Sequence, residues 1–121
     1  IAAAKLGAKR VIAIDNDPQA ETASKENAEK NNCADVIKTF YSAEMIEYEK
    51  CDLLMANILA KPLIELQTLF SEIVKPNGTI LLSGILEHQV ENIFDCYSKN
   101  FNNFKNTTKN EWYRISASRK N

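Results

Sequence analysis

Compact apolar runs and amphipathic stretches alternate along this chain. The first run is Val11–Ile14, four apolar residues that lead directly into Asp15. A short run of this kind, bounded by turn residues, suits a strand buried on both faces of a parallel sheet. Asp17 followed by Pro18 predicts a helix N-cap with proline at the first helical position. The helix is expected to run to about Lys30, with Ala20, Ala23 and Ala28 as a small-residue stripe and Glu21, Lys25, Glu26 and Glu29 opposite. Val36–Tyr41 predicts a second strand, and the Lys38 and Thr39 within it suit a sheet edge. Ser42 to Lys50 is polar and reads as a short helix or loop. Asp52–Ala56 is again a compact apolar strand, ending at Asn57.

The next helix has the clearest period: Leu66, Leu69, Phe70, Ile73 and Val74 fall at i, i+3, i+4, i+7 and i+8. Lys75-Pro76-Asn77-Gly78 is expected to stop it and turn the chain. Thr79–Ser83 predicts a strand, and Leu86, Val90, Ile93, Phe94 and Tyr97 a second amphipathic helix. Beyond Asn100 the pattern changes to two strands, Phe101–Thr108 and Trp112–Ala117, joined by Lys109-Asn110. So short a link requires them to be antiparallel. Ile1–Ala8 resembles the last turns of a helix closed by Gly7, so the chain is expected to start inside an element. The fold expected is α/β with three layers. Val11–Ile14, Asp52–Ala56 and Thr79–Ser83 are its central parallel strands, and an antiparallel hairpin closes it. With no repeat, low-complexity segment or linker, residues 1–121 read as one domain.

Bulk properties narrow the function classes. In 121 residues, 45% are hydrophobic and 26% charged, the balance of an ordinary globular domain. The net charge of −1 gives no footprint for nucleic acid or an anionic membrane. No apolar run approaches the roughly 20 residues of a membrane span. The three cysteines, Cys33, Cys51 and Cys96, are widely spaced, and His88 is the single histidine. That set does not supply a zinc site, so no metal is expected, and the thiols read as reduced and inert in a cytoplasmic protein. A Cys/His nucleophilic pair is the weaker reading of these residues. His88 is expected on a solvated helix face.

The candidate chemistry sits at Asp15. An acid at the carboxyl end of a parallel strand is placed where open α/β sheets bind ligands, and it can accept hydrogen bonds from both hydroxyls of a ribose. The plainer reading is a loop residue or a cap. The Asp15-x-Asp17 pair also fits a metal-dependent sugar-nucleotide transferase, and an acid-ended strand is shared with nicotinamide dehydrogenases. Asp17, as the cap, is structural.

Four segments carry a resemblance. They are Val-Ile-Ala-Ile-Asp-Asn-Asp-Pro-Gln-Ala (Val11–Ala20), Ala-Asn-Ile-Leu-Ala-Lys-Pro-Leu (Ala56–Leu63), Leu-Ser-Gly-Ile-Leu (Leu82–Leu86) and Glu-Trp-Tyr-Arg-Ile (Glu111–Ile115). A parallel sheet closed by an antiparallel hairpin is similar to the Rossmann-like methyltransferases that use S-adenosylmethionine. Within them the four segments resemble the PrmA family, which methylates the eleventh protein of the large ribosomal subunit. The resemblance runs over essentially the whole chain.

It implies an S-adenosylmethionine-dependent protein N-methyltransferase acting on lysine and N-terminal amines of a ribosomal protein. Asp15, with the adjacent Asn16, would hold the ribose of the cofactor. Ser42 and Ala43 would lie near the adenine, with Ser42 where many relatives carry an acid. Asn57 would be catalytic and would also contact the cofactor, beside the sulfonium methyl, where many amino-group methyltransferases carry an Asn or Asp followed by two prolines and an aromatic. The resemblance also places a first strand and a glycine-rich turn before Ile1, so the chain reads as a C-terminal fragment, inactive alone and prone to self-association through unpaired strands. The alternatives are a non-catalytic remnant or binding module of the same fold, or another nucleotide-binding α/β enzyme.

Overall fold

The computed structural model describes residues 1–40 and 49–121. The chain divides into two compact units, Ile1–Glu47 and Tyr48–Asn121. In the first, a short helix α1 (Ala2–Lys5) precedes strand β1 (Val11–Ile14), helix α2 (Pro18–Lys30) and strand β2 (Ile37–Phe40). β1 and β2 pair in parallel, with Val11 opposite Ile37 and Ile14 opposite Phe40. Ala28, Cys33 and Ile37 form a small core against Ala4, Val11 and Ala13. α2 begins as its sequence dictates: Asp17 accepts a hydrogen bond from the Gln19 amide at 2.9 Å, with proline following the cap. Ala28 of the expected stripe is buried and Ala20 half-buried, whereas Ala23 is exposed. Ser24, four residues before Ala28, takes its place on the inward side.

The second unit contains β3 (Cys51–Asn57), α3 (Ala60–Glu65), α4 (Gln67–Ile73), β4 (Val74–Leu86), α5 (Val90–Tyr97), β5 (Phe101–Lys109) and β6 (Trp112–Arg119). Its four strands lie in the order β3-β4-β6-β5. β3 and β4 are parallel, the pairing expected of Asp52–Ala56 and Thr79–Ser83. β6 is antiparallel to both β4 and β5, which makes the C-terminal hairpin. Along β4, Ile80, Leu82 and Ile85 point into a core shared with Leu63 of α3, Ile93 and Tyr97 of α5, Phe101 of β5, and Ile115 and Ala117 of β6.

Several boundaries differ from the sequence reading. The long periodic helix is two helices that meet at Leu66, whose backbone leaves the helical region (φ −91°, ψ 3°). Near this break Leu63 gives its carbonyl to the Tyr97 hydroxyl at 2.6 Å. The helix stops at Ile73, because Val74 is extended and pairs with Cys51. Lys75–Gly78 does not separate helix from strand. It is an irregularity inside β4, where the pairing with β3 jumps from Val74 to Thr79. Leu86 ends β4, and a single 3-10 turn, Glu87–Gln89, precedes α5. The turn of the hairpin is Asn110-Glu111, one residue later than expected.

A buried polar cluster ties α4 to the end of β6. Gln67 donates to Ser71 Oγ and to Asn100 Oδ1 at 3.0 and 2.7 Å. Arg119 donates to the Ser71 and Asn100 carbonyls at 2.7 and 3.3 Å, with its guanidinium over the Phe101 ring. A cation at the last turn of α4 also meets the negative end of the helix dipole.

Candidate functional site

Asp15 lies just beyond β1, exposed, and its amide donates to the Phe40 carbonyl at 3.0 Å. Its Oδ1 accepts the Asp17 amide at 3.0 Å. The loop is therefore built from two carboxylates in series: Asp15 holds Asp17, and Asp17 caps α2. An ionised carboxylate has about four acceptor positions. One amide leaves Asp15 with capacity for further donors, and the same bond fixes its orientation. Asp15 is not the cap, so the structural role falls to Asp17 as the sequence indicates. Asn16 is exposed between them. Ser42 and Ala43, with Glu44 beside them, lie outside the described residues.

Asn57 occupies the carboxyl end of β3, directly paired with Ser83 on β4. The plainer role for it, capping the next helix, does not hold. The N-cap of α3 is Leu59, and no side chain caps that end. Instead the Asn57 carboxamide lies against Gly84. A Cβ built on Gly84 would stand 2.9 Å from Asn57 Oδ1 and 3.0 Å from the Ile58 carbonyl oxygen. Gly84 has φ +81°, a backbone region that favours glycine. It belongs to a bulge: β4 advances from Leu82 to Ile85 while β6 moves only from Ile115 to Tyr113.

Asn57, Ser83 and Gly84 line an open cleft of about 800 Å³ with Ile58 and Leu59. The far wall is the tip of the hairpin, from Thr107 to Asn110 and from Trp112 to Arg114. The walls are mixed. Ile58, Leu59, Trp112 and Tyr113 are apolar or aromatic, and Lys109 and Arg114 are cationic. Trp112 is half exposed. The register places Arg114 across from the Ser83–Gly84 bulge, since Ile115 opposes Leu82 and Tyr113 opposes Ile85. The hairpin turn carries strain, with Asn110 at φ 50° and Glu111 at φ 71°. Two positive φ angles are what a two-residue type I′ turn requires, and glycine normally holds the second.

Among the described residues no cluster of histidine, cysteine and acids has the arrangement of a metal site. All three cysteines are free. Cys33 is buried, and burial raises the Cys51 thiol above its ordinary pKa. His88 is exposed in the 3-10 turn. Among the described residues no helix is long and apolar enough to cross a membrane.

The family model described as ribosomal protein L11 methyltransferase (PrmA) matches residues 1–120. The chain belongs to the PrmA family. It is 48% identical over 117 residues to a ribosomal protein L11 methyltransferase of Haemophilus influenzae, covering 97% of this chain and 40% of that protein. The Aliivibrio salmonicida relative of the same name is 44% identical over 120 residues, covering 99% and 41%. The chain thus spans about 40% of the length of the curated relatives it matches. Its structure superimposes on a ribosomal protein L11 methylase from Lactobacillus delbrueckii subsp. bulgaricus with a TM-score of 0.90 at 31% identity, over 99% of this chain and 63% of that one. An RNA methyltransferase from Salinibacter ruber, solved with S-adenosyl-L-homocysteine, shares the fold at a TM-score of 0.67 and 10% identity, over 92% of this chain and 66% of that one. The fold is therefore the α/β fold of methyltransferases.

In this PrmA chain Asp15, Asn16, Ser42, Ala43 and Asn57 are the candidates visible in the sequence. Gly84, Trp112 and Arg114 carry no such signal of a role, although each stands in a segment that carries the resemblance. Gly84 was detectable in part: a lone glycine immediately after a predicted strand signals a bulge or a close approach.

Proposed function

We propose that these residues are part of an S-adenosylmethionine-dependent methyltransferase domain that modifies lysine or N-terminal amino groups of ribosomal protein L11. The observation that carries the reading is the Asn57 carboxamide. It lies at the carboxyl end of a parallel strand, lines a cleft and is not used as a helix cap. The family and the names of its relatives support the substrate class. The substrate is a ribosomal protein met in the cytoplasm, and the reading requires neither nucleic acid nor membrane.

The residues fit the cofactor. Asp15 retains acceptor capacity for ribose hydroxyls while the Asp17 amide holds its orientation, and Asn16 follows it in the same loop. Ser42 and Ala43 remain candidates for the adenine side. When bound, S-adenosylmethionine would supply an activated methyl group on its sulfonium, for in-line transfer to a neutral amine with the thioether as leaving group. The protein's task is alignment, and orientation of two reactants is worth roughly 7–11 kcal/mol in favourable cases. Asn57 Oδ1 would accept a hydrogen bond from the amine and so turn the nitrogen lone pair toward the methyl carbon. Ile58, Leu59 and Trp112 give the amine's aliphatic stem an apolar wall.

A chimera tests this: the chain replaces the corresponding residues of the Haemophilus influenzae relative, and methyl transfer to ribosomal protein L11 is measured. Asn57→Ala should lower turnover by roughly tenfold or more while cofactor affinity stays within about twofold, because the contact acts in the transition state. Lost affinity with turnover intact would make Asn57 a binding residue. β3 ends its sheet among the described residues, with Leu53 and Met55 exposed. Such an edge supports self-association of the isolated chain, and light scattering on it would settle the point.

A further inference from the structure

We infer that Gly84 is the positioning residue for Asn57: its missing side chain is what allows the carboxamide oxygen to lie on the cleft wall. The inference rests on the methyltransferase reading for its catalytic meaning, and on geometry alone for its structural content. Three observations converge. The bulge carries one additional residue on β4 opposite β6, so the Ser83–Gly84 backbone departs from regular pairing next to Asn57. Gly84 adopts φ +81°, which disfavours any L side chain. A methyl group there would approach Asn57 Oδ1 to 2.9 Å, closer than carbon and oxygen tolerate. Asn57 is exposed, and its side chain has no hydrogen-bond partner among the described residues, so on this side only the contour of the Gly84 backbone bounds it.

This joins two segments 27 positions apart in sequence into one device. β3 delivers the acceptor, and the bulge in β4 clears the space beside it. An alanine at 84 has two ways to relax: the strand end shifts, or the carboxamide swings off the wall. The second abolishes the aim of Oδ1 without removing any group that touches substrate.

The test is a double-mutant cycle on this 121-residue chain, read by urea unfolding at a concentration where light scattering shows a monomer. Gly84→Ala should reduce the folding equilibrium constant. In an Asn57→Ala background that reduction should be smaller, by up to about fivefold, because contacting residues couple, while the φ strain and the Ile58 carbonyl contact remain in both backgrounds. An equal reduction in both backgrounds, with the Asn57 carboxamide resonances unmoved by Gly84→Ala, would overturn the inference, leaving only φ strain and the Ile58 carbonyl. If Gly84→Ala does not fold, recovery of folding by Asn57→Ala supports the coupling and its failure refutes it. A second variant separates backbone from side chain. Gly84→D-Ala, made by chemical ligation at Cys51 and Cys96, accepts positive φ and sets its methyl on the other side of the backbone. It should leave the Asn57 carboxamide resonances near their original positions, and a large displacement would count against the inference. In the chimera, Gly84→Ala should lower kcat by roughly tenfold with KM for the cofactor within about twofold, the signature of lost orientation. Unchanged kcat would overturn the positioning role. A chimera with no activity before any substitution would refute the methyltransferase reading, and the cycle would still decide the coupling.

Discussion

The Tyr97 hydroxyl donates to the Leu63 carbonyl across 2.6 Å, inside the core and near the point where α3 gives way to α4. This bond joins α5 to α3, the helix that follows Asn57. Tyr97→Phe keeps the ring and leaves the buried carbonyl without its donor. The expected cost is about 1–3 kcal/mol, visible as a lower urea midpoint with an unchanged slope.

The same tyrosine makes the fold sensitive to alkali. Burial, with Cys96 nearby, raises the Tyr97 pKa above its ordinary value, and burial raises Cys51 as well. For a group raised in the folded state, the stabilising contribution is complete below the unfolded pKa. It is lost as pH rises through the folded one. Unfolded cysteine begins to ionise near about pH 8.5 and unfolded tyrosine near about pH 10. Thermal unfolding from pH 7 to 11 should therefore show Tm falling above about pH 8.5 and more steeply above about pH 10. Tyr97→Phe should flatten the second part. An unchanged slope in that variant would assign the loss elsewhere.

Glu111 stores strain at the hairpin tip, at φ 71°. Glu111→Gly relieves it but gives the unfolded chain more freedom. Relief should prevail in a type I′ turn, with a net gain of up to about 1 kcal/mol in calorimetry. A loss of stability would show that the carboxylate makes a contribution larger than the strain.

The two acids of the first unit should separate cleanly. Asp17→Ala removes the α2 cap and should cost about 1 kcal/mol of stability with little change in cofactor affinity. Asp15→Ala in the chimera should weaken S-adenosylmethionine by about 1.5–3 kcal/mol in calorimetry, as charge-assisted bonds are lost. Equal affinities would remove Asp15 from the cofactor site.

What the sequence revealed follows the strength of local signals. Val11–Ile14, the Asp17-Pro18 cap and the parallel pairing of Asp52–Ala56 with Thr79–Ser83 were legible, because short apolar runs and capping residues act over a few positions. The break at Leu66 was not, since the apolar period continues unbroken across it. Nor was the early start of β4: Val74 fits the helical period, and only its pairing with Cys51 draws it into the sheet. At the candidate cleft, Asn57 stands out in the sequence as a candidate, but its geometry does not. Its relation to Gly84 depends on a register shift against β6, a strand nearly thirty residues further on, which no local pattern encodes.

Trp112 is the single tryptophan of the chain, half exposed on the cleft wall. The indole is thus an optical reporter already installed at the place of interest. A molecule that fills the cleft strips water from the ring and moves its emission toward the blue. Occupancy of this one wall can be followed in solution with no label attached and no other indole to confuse the signal.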